Sequence, residues 1–276
     1  MIDSPLIDLH SHSTASDGAF APARLVQEAV SRGVTTLALT DHDTTAGLDE
    51  ADEAARELGL DFVPGVEITC QCAGTEVHLL GLGIDRLSHA LLEVCGDVQQ
   101  RRRVRFFQMV EKLRAHGVPL STESVEDGVS LARPYLARLM VQQGKVKTYQ
   151  EAFERYLRKG LPGFVEHTTI KISRAIEAIQ ASGGVAVLAH PGLYRNGDEC
   201  IYEGAQQGLD GIECYHSDHN HDKSQHFVSI ARKLQLLVSG GADFHGPDHA
   251  RSKFFGKRGC PPAEFERMQE ALAARA

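Results

Sequence analysis

The chain of 276 residues contains no tryptophan, and aromatic residues make up only 6% of it. Grooves that hold long single strands of nucleic acid are usually built from stacking aromatic side chains, so this composition disfavours such a groove. The net charge is −8 and the sequence pI is near 5.9, which argues against a broad basic surface for long nucleic acid.

The sequence also lacks membrane and export signals. No apolar run approaches the ~20 residues that span a bilayer, and no basic-then-apolar segment opens the chain. The six cysteines (70, 72, 95, 200, 214 and 260) show no Cys-x-x-Cys pair and no regular spacing, which is typical of thiols in a reducing compartment. We therefore expect a cytoplasmic protein that has no membrane contact and no evident obligate protein partner.

What the chain does contain is a repeated ending, in which an apolar, strand-like run leads into histidine or carboxylate residues. Six such endings imply one shared mouth where these groups converge. Imidazole nitrogen and carboxylate oxygen are ligands of Zn, Mn and Fe, so the pattern predicts a metal centre. In chain order the runs lead to His10, His12 and Asp17, to Asp41, His42 and Asp43, to Glu67, to His78, to His190, and to Asp243 and His245.

Strand and helix patterns alternate along most of the chain, and a hydrophobic content of 42% supports a real core. Strands alternating with helices predict a largely parallel sheet with right-handed crossovers. About seven strands, with functional groups at many strand ends, favour a closed or nearly closed barrel over an open sheet. Helices are predicted at 22–32, 46–58, 172–182, 199–207 and 222–233, and strands near 62–69, 75–84, 184–189, 209–214 and 235–239.

The segment 88–165 interrupts this alternation and is predicted to be helical, at 91–116, 132–143 and 149–157. We interpret it as a helical insertion in a barrel formed by 1–87 and 166–276. The segment carries nine arginines, which fit either a solvated charged face or a clamp for an anion, because guanidinium binds phosphate bidentately. Arg102 and Arg105 share a helix face, and Arg133 lies at a predicted helix start, so these three are the candidate phosphate-binding residues.

These motifs resemble, in order and over essentially the whole chain, those of the polymerase and histidinol phosphatase (PHP) superfamily of metal-dependent phosphoesterases. One departure is Ala242, which stands where the superfamily usually has serine; it removes a hydroxyl group but no metal ligand. The matching stretches are His10-Ser11-His12 with Ser16-Asp17-Gly18, Thr40-Asp41-His42-Asp43-Thr44, Gly65-Val66-Glu67, Glu76-Val77-His78-Leu79-Leu80-Gly81, Ala189-His190-Pro191-Gly192 and Ala242-Asp243-Phe244-His245-Gly246.

Two further stretches resemble the small single-domain branch of the superfamily. They are 133–138 (RPYLAR) and 153–165 (FERYLRKGLPGFV). This branch includes the 3′,5′-nucleoside bisphosphate phosphatases and the RNase AM-like 5′→3′ exonucleases.

The resemblance implies a distorted (β/α)₇ barrel that holds two or three divalent metal ions, most commonly Mn²⁺, with Fe or Zn as alternatives. Glu67 would be the bridging carboxylate, and a metal-bridging hydroxide would attack phosphorus in line. Asp43 is the candidate acid or hydrogen-bond partner for the leaving group, with a helix cap as its alternative role. The implied metal ligands are His10, His12, Asp17, His42, Glu67, His78, His190, Asp243 and His245.

The leading functional hypothesis is a phosphatase that removes the 3′-phosphate of nucleoside 3′,5′-bisphosphates, while the three candidate arginines hold the 5′-phosphate. The close alternative is a 5′→3′ exonuclease acting on short 5′-phosphorylated RNA. Histidinol phosphatase activity and a non-catalytic metal-binding module are less favoured. The run His216 to His221 follows a predicted strand, and we interpret it as a substrate loop rather than as a further metal site.

Overall fold

A computed structural model of the protein describes residues 6–123, 125, 131–166 and 168–275. The chain divides into two compact units. The first combines Met1–Cys95 with Ile170–Ala276, and the second is Gly96–Thr169.

The first unit is built on a mixed sheet. Its main path runs β1-β2-β3-β4-β6-β7-β8, and the short β5 pairs with β3. All neighbours on the main path are parallel except that β4 runs antiparallel to both β3 and β6. The strands are β1 (Ile7–Asp8), β2 (Thr36–Leu39), β3 (Asp61–Cys72), β4 (Thr75–Leu82), β5 (Ile170–Lys171), β6 (Val185–Leu188), β7 (Gly211–His216) and β8 (Leu237–Gly241).

The two ends of this path approach each other and nearly close a barrel. Just beyond β1 and β8, the backbone N–H of Leu9 donates to the Gly240 carbonyl at 3.2 Å, and that of Asp243 donates to the His10 carbonyl at 2.9 Å. The N–H of His12 donates to the Phe244 carbonyl at 2.9 Å, which continues the seam. The predicted barrel of about seven strands is therefore confirmed.

Gly241 lies at this seam, and its lack of a side chain lets β8 approach the β1 segment. A Cβ atom at this position would lie 2.5 Å from both the backbone nitrogen and the Cβ atom of His10. We expect Gly241→Ala to lower the free energy of unfolding by about 1–3 kcal/mol, the usual cost of overpacking. Urea denaturation of the metal-free protein measures this change.

Gly96→Ala provides the matched control for that measurement. Gly96 lies within a helix, and a Cβ atom added there would meet nothing within 4 Å. The Gly96→Ala substitution should therefore raise the free energy of unfolding by about 0.5–1 kcal/mol, as expected for alanine in place of glycine in a helix. Equal effects of the two substitutions would contradict the proposed tightness of the seam.

The antiparallel direction of β4 is the main departure from the largely parallel sheet predicted above. Only Ala73 and Gly74 separate β3 from β4, and both have positive φ, 48° and 72°. A connection this short can only reverse the chain, since a parallel connection needs a crossover of a dozen or more residues. Glu67 and His78 lie inside β3 and β4, within the predicted strand ranges. The repeated-ending pattern, which had placed both residues at strand ends, was wrong on this point. Because β4 is antiparallel, its beginning lies beside the end of β3.

Helices cover this sheet with their apolar faces. In the first of them the buried residues include Leu25, Val26 and Ala29, at helical spacing. The last helix contributes Phe265 and Met268 to the core enclosed by the strands. The sequence analysis had predicted neither this helix nor β5. The helices of this unit are α1 (Pro22–Ser31), α2 (Leu48–Leu58), α6 (Ile172–Ala181), α7 (Gly197–Gln206), α8 (His221–Leu234) and α9 (Pro262–Ala273); α3 (His89–Ala115) begins in this unit and ends in the second.

In its described residues the second unit consists of helices and connecting loops, without a strand. Besides most of α3 it contains α4 (Arg133–Gln142) and α5 (Tyr149–Ala152), which continues as a π-helical turn, Phe153–Leu157. Its own core includes Phe106, Leu113, Leu136, Met140 and Leu157. In the part of the chain that the structure describes, no helix has the length and hydrophobicity needed to cross a membrane.

Candidate metal centre

The structure brings together all nine residues implied as metal ligands. They form overlapping groups whose potential ligand atoms lie within 4.8 Å of one another. The groups are His12, Asp17, His42 and His245; His10, His12 and Glu67; His10, His190 and Asp243; and His42, Glu67 and His78.

Glu67 lies at the centre of these groups, and its two oxygens face different imidazoles. Its Oε2 lies 3.0 Å from His42 Nδ1 and 3.3 Å from His12 Nε2. Its Oε1 lies 3.0 Å from His78 Nδ1 and 3.1 Å from His190 Nε2. Two ligand atoms on one metal, each ~2.0–2.1 Å away, lie roughly 2.9–3.4 Å apart, so these separations suit shared metals. That Glu67 bridges two metals stays a prediction.

Asp243, at the barrel seam, also faces two imidazoles. Its Oδ1 lies 3.2 Å from His12 Nε2 and 3.2 Å from His245 Nδ1. The other nitrogen of His245 lies 3.2 Å from Asp17 Oδ1. Asp243 and His190 both have positive φ, 52° and 29°, although neither is glycine. Backbone in this region is strained, and such strain is typical of residues held in place for function.

The buried ligand atoms that have no hydrogen bond among the described residues include four at the centre: His10 Nε2, His12 Nε2, Glu67 Oε2 and Asp243 Oδ1. A buried polar atom without a partner costs about 1–3 kcal/mol, so such atoms need an explanation. Divalent cations would satisfy all four. The nitrogen and oxygen donor set fits Mn, Fe or Zn.

The electrostatics of the cluster keep His12, His190, Glu67 and Asp243 in the protonation states that metals require. Burial lowers the pKa of His12 to about 3 and that of His190 to about 4, which leaves both imidazoles neutral. Burial alone would raise the pKa of Glu67 and Asp243, but the surrounding histidines hold both carboxyl pKa values well below normal. The carboxylates therefore stay ionised at neutral pH.

His10 behaves differently, and this leads to a prediction about pH. Burial by itself would lower its pKa, but the carboxylates of Glu213, Asp243 and Glu67 raise that pKa well above its usual value of 6.5. Metal must then displace a proton from His10, so metal affinity should rise with pH through the neutral range, with about one proton released per ion bound there. Calorimetry of Mn²⁺ binding in buffers of different ionisation enthalpy measures this release, and a heat independent of buffer would contradict it.

Residues outside the predicted set hold the ligands in place, and the sequence analysis did not single them out. Glu213 Oε1 lies 2.9 Å from His10 Nδ1, and Arg251 contacts Asp243 Oδ2. The Tyr194 hydroxyl accepts from the backbone N–H of His78 at 3.0 Å and lies 3.0 Å from His190 Nδ1. The available signal for Glu213 was a charge inside an apolar strand.

The run His216 to His221 contributes a donor rather than a ligand. His216 Nδ1 accepts from the backbone N–H of Asp218 at 3.1 Å, so the neutral ring carries its proton on Nε2. That nitrogen lies 3.3 Å from Asp243 Oδ2 and donates to it. His219 likewise bonds through both nitrogens, to the Cys214 carbonyl and from the Gly192 N–H. The interpretation of the run as a substrate loop stays a prediction.

Asp43 is buried, with a φ of 53°. Its Oδ1 accepts from the backbone N–H of Thr69 at 2.7 Å, and its Oδ2 accepts from the Thr69 hydroxyl at 3.3 Å. Asp43 thus connects the segment after β2 to β3. It does not cap α2, which begins after Gly47 without a side-chain cap. Its catalytic role stays a prediction.

The three candidate arginines lie in the second unit. Arg102 and Arg105 are each only 9% exposed, and the Nε of Arg105 donates to the Val165 carbonyl at 3.0 Å. Arg133 is partly exposed and is the first residue of α4. Their binding of a phosphate stays a prediction.

The chain is similar to several known proteins. The family model of the PHP domain matches residues 8–236. A 5′-3′ exoribonuclease from Haemophilus influenzae is 38% identical over 87% of this chain and 90% of its own. A 3′,5′-nucleoside bisphosphate phosphatase from Chromobacterium violaceum is 36% identical over 87% of each chain. The structure of a candidate metal-dependent phosphoesterase from Bifidobacterium adolescentis superposes with a TM-score of 0.85 at 29% identity, covering 97% of this chain and 96% of the other.

Proposed function

The chain belongs to the PHP family and is a metal-dependent phosphoesterase, and on that premise we propose that it removes the 3′-phosphate of nucleoside 3′,5′-bisphosphates. The observation that carries the proposal is the position of Glu67, whose two carboxylate oxygens face imidazoles on two sides. The relative from C. violaceum, which is matched over 87% of each chain, supports this substrate class.

The reaction is hydrolysis of a phosphomonoester. The bond from phosphorus to the 3′ oxygen breaks, water supplies the new oxygen on phosphorus, and a proton reaches the departing 3′ hydroxyl. Bound divalent metals, most commonly Mn²⁺, would supply Lewis acidity that activates water and neutralises the charge of the phosphate. The nine ligand residues would hold these ions, with Glu67 and Asp243 providing the central negative charge.

Two further assignments belong to the proposal. Asp43 hydrogen-bonds the leaving 3′ hydroxyl: it directly follows the ligand residue His42 in the chain, and its carboxylate is held in place by Thr69. Arg102, Arg105 and Arg133 hold the 5′-phosphate, which gives a reason for arginine-rich sequence in an otherwise acidic chain.

All six cysteines are buried and none forms a disulfide, which supports a cytoplasmic location.

The exonuclease alternative has support of its own, because the relatives named 5′-3′ exoribonuclease from H. influenzae and Escherichia coli are 38% and 36% identical. The same metal centre would then hydrolyse a phosphodiester of short RNA whose 5′-phosphate is held in the same way. The departing group is a 3′ hydroxyl in both reactions, and only the phosphoryl group differs, because in RNA it also carries the next nucleotide. A substrate comparison therefore separates the two.

The test measures kcat/KM with added Mn²⁺ for adenosine 3′,5′-bisphosphate and for a 5′-phosphorylated RNA of about four nucleotides, with a chelator control. We expect the bisphosphate to be preferred at least about tenfold, a difference of about 1.4 kcal/mol in transition-state stabilisation. A tenfold preference for the oligonucleotide would establish the exonuclease instead. Hydrolysis of neither substrate, measured as phosphate release from the bisphosphate and mononucleotide release from the RNA, would overturn both assignments.

A further inference from the structure

Glu213 is a fully buried carboxylate in β7, a strand that contributes none of the nine ligand residues. Its two oxygens hold two different ligands. Oε1 lies 2.9 Å from His10 Nδ1, and Oε2 accepts from the backbone N–H of His190 at 2.7 Å. One side chain therefore connects ligands that follow β1 and β6.

The contact with His10 determines which ring nitrogen faces the metals. An ionised carboxylate only accepts hydrogen bonds, so the Nδ1 of His10 must carry a proton. The other nitrogen, Nε2, lies 3.5 Å from both Glu67 Oε2 and Asp243 Oδ1, inside the cluster. A histidine binds metal through an unprotonated nitrogen, and a carboxylate on the opposite nitrogen fixes both the tautomer and the ring orientation.

The contact with His190 acts on the backbone. His190 has a φ of 29°, in a region that residues other than glycine rarely adopt. The bond from its N–H to Glu213 opposes relaxation of that conformation. The imidazole of His190 then stays directed at Glu67, with its Nε2 3.1 Å from Oε1.

We propose that Glu213 is a positioning residue of the metal centre, which sets the tautomer of His10 and the backbone of His190 without itself binding metal. This inference rests on the metal-binding part of the proposed function and holds for either phosphoester substrate. It assigns a role to a strand that the ligand pattern leaves unused.

Glu213→Gln is the informative variant, because glutamine has nearly the same shape but offers one acceptor oxygen and one NH₂ donor. If its oxygen faces the His190 N–H, its NH₂ faces His10 Nδ1 and drives the His10 proton to Nε2. In the opposite orientation two N–H groups face each other at His190. We expect Mn²⁺ affinity, measured by calorimetry on the metal-free protein, to fall about 10–100-fold, and activity to recover partly at high Mn²⁺ concentration.

Asp210→Asn is the matched control. Asp210 directly precedes the first residue of β7, and its carboxylate accepts from the backbone N–H of Ala186 at 2.8 Å. It should lower thermal stability without changing Mn²⁺ affinity, as would be expected of a merely structural carboxylate. If Glu213→Gln does not fold, Glu213→Asp keeps the charge but is one methylene too short to reach both partners, and an intermediate loss of affinity is expected.

The outcomes separate this inference from the proposed function. Wild-type Mn²⁺ affinity in a folded Glu213→Gln protein, or in Glu213→Asp if that variant has to be used, would overturn the positioning role and leave the phosphoesterase intact. A wild-type protein that binds none of Mn²⁺, Fe²⁺ and Zn²⁺ would overturn the metal-dependent function itself. A selective loss of affinity in the Glu213 variants, but not in Asp210→Asn, establishes the inference.

Discussion

Replacing Glu67 by glutamine is expected to reduce kcat/KM by more than about 100-fold, which is the upper end of the loss for an outer partner of a metal ligand. The reason is geometric: each carboxylate oxygen of Glu67 faces imidazoles on a different side, so both sides lose a charged acceptor at once. The amide also places an NH₂ group against a ring nitrogen that should bind metal. Kinetics with added Mn²⁺ and the metal content of the purified variant measure the effect.

Glu57→Gln provides the control, since Glu57 is exposed on α2 and should leave both measurements unchanged. Circular dichroism shows whether the Glu67 variant is folded. Undiminished activity of a folded Glu67→Gln protein would remove the bridging carboxylate from the mechanism. Full activity of the wild-type protein after exhaustive chelation would go further and contradict a metal-dependent phosphoesterase.

Replacing Arg133 by alanine should lower kcat/KM for a 3′,5′-bisphosphate about tenfold to 150-fold. This range corresponds to the roughly 1.5–3 kcal/mol of one charge-assisted contact to an anion. A 3′-monophosphate has no 5′-phosphate to lose, so its hydrolysis should change little. Because remote binding energy can also position the reacting group, kcat can fall together with affinity.

Arg138→Ala is the matched control, because Arg138 is an exposed arginine on the same helix, α4. It should leave the rates of both substrates unchanged. Equal losses on the two substrates in Arg133→Ala would mean that Arg133 stabilises the fold or contacts the scissile phosphate. The specificity for a 5′-phosphate would then fail, while the metal chemistry would stand.

The sequence, through its resemblance to the PHP superfamily, was sufficient to name the nine residues of the cluster. Each belongs to a short local pattern, such as His10 and His12 after β1 or His190 after β6. Such local patterns can be recognised in the sequence without knowledge of the fold. The alternation of strands and helices likewise indicated a barrel, because hydrophobic period depends on neighbours along the chain. The apolar runs before Glu67 and His78 located these residues on strands, but placed them wrongly at strand ends.

Only the tertiary structure decided how those residues are oriented. The direction of β4, the seam at Gly241 and the contact of Asp43 with Thr69 depend on which strands become neighbours in space. Glu213 shows the same limit: in the sequence it is a charge inside an apolar strand, 203 positions from His10. A hydrogen bond across that separation exists only after the barrel brings β7 beside β6 and β8 and closes β8 against β1, since its geometry is set by packing and not by local pattern.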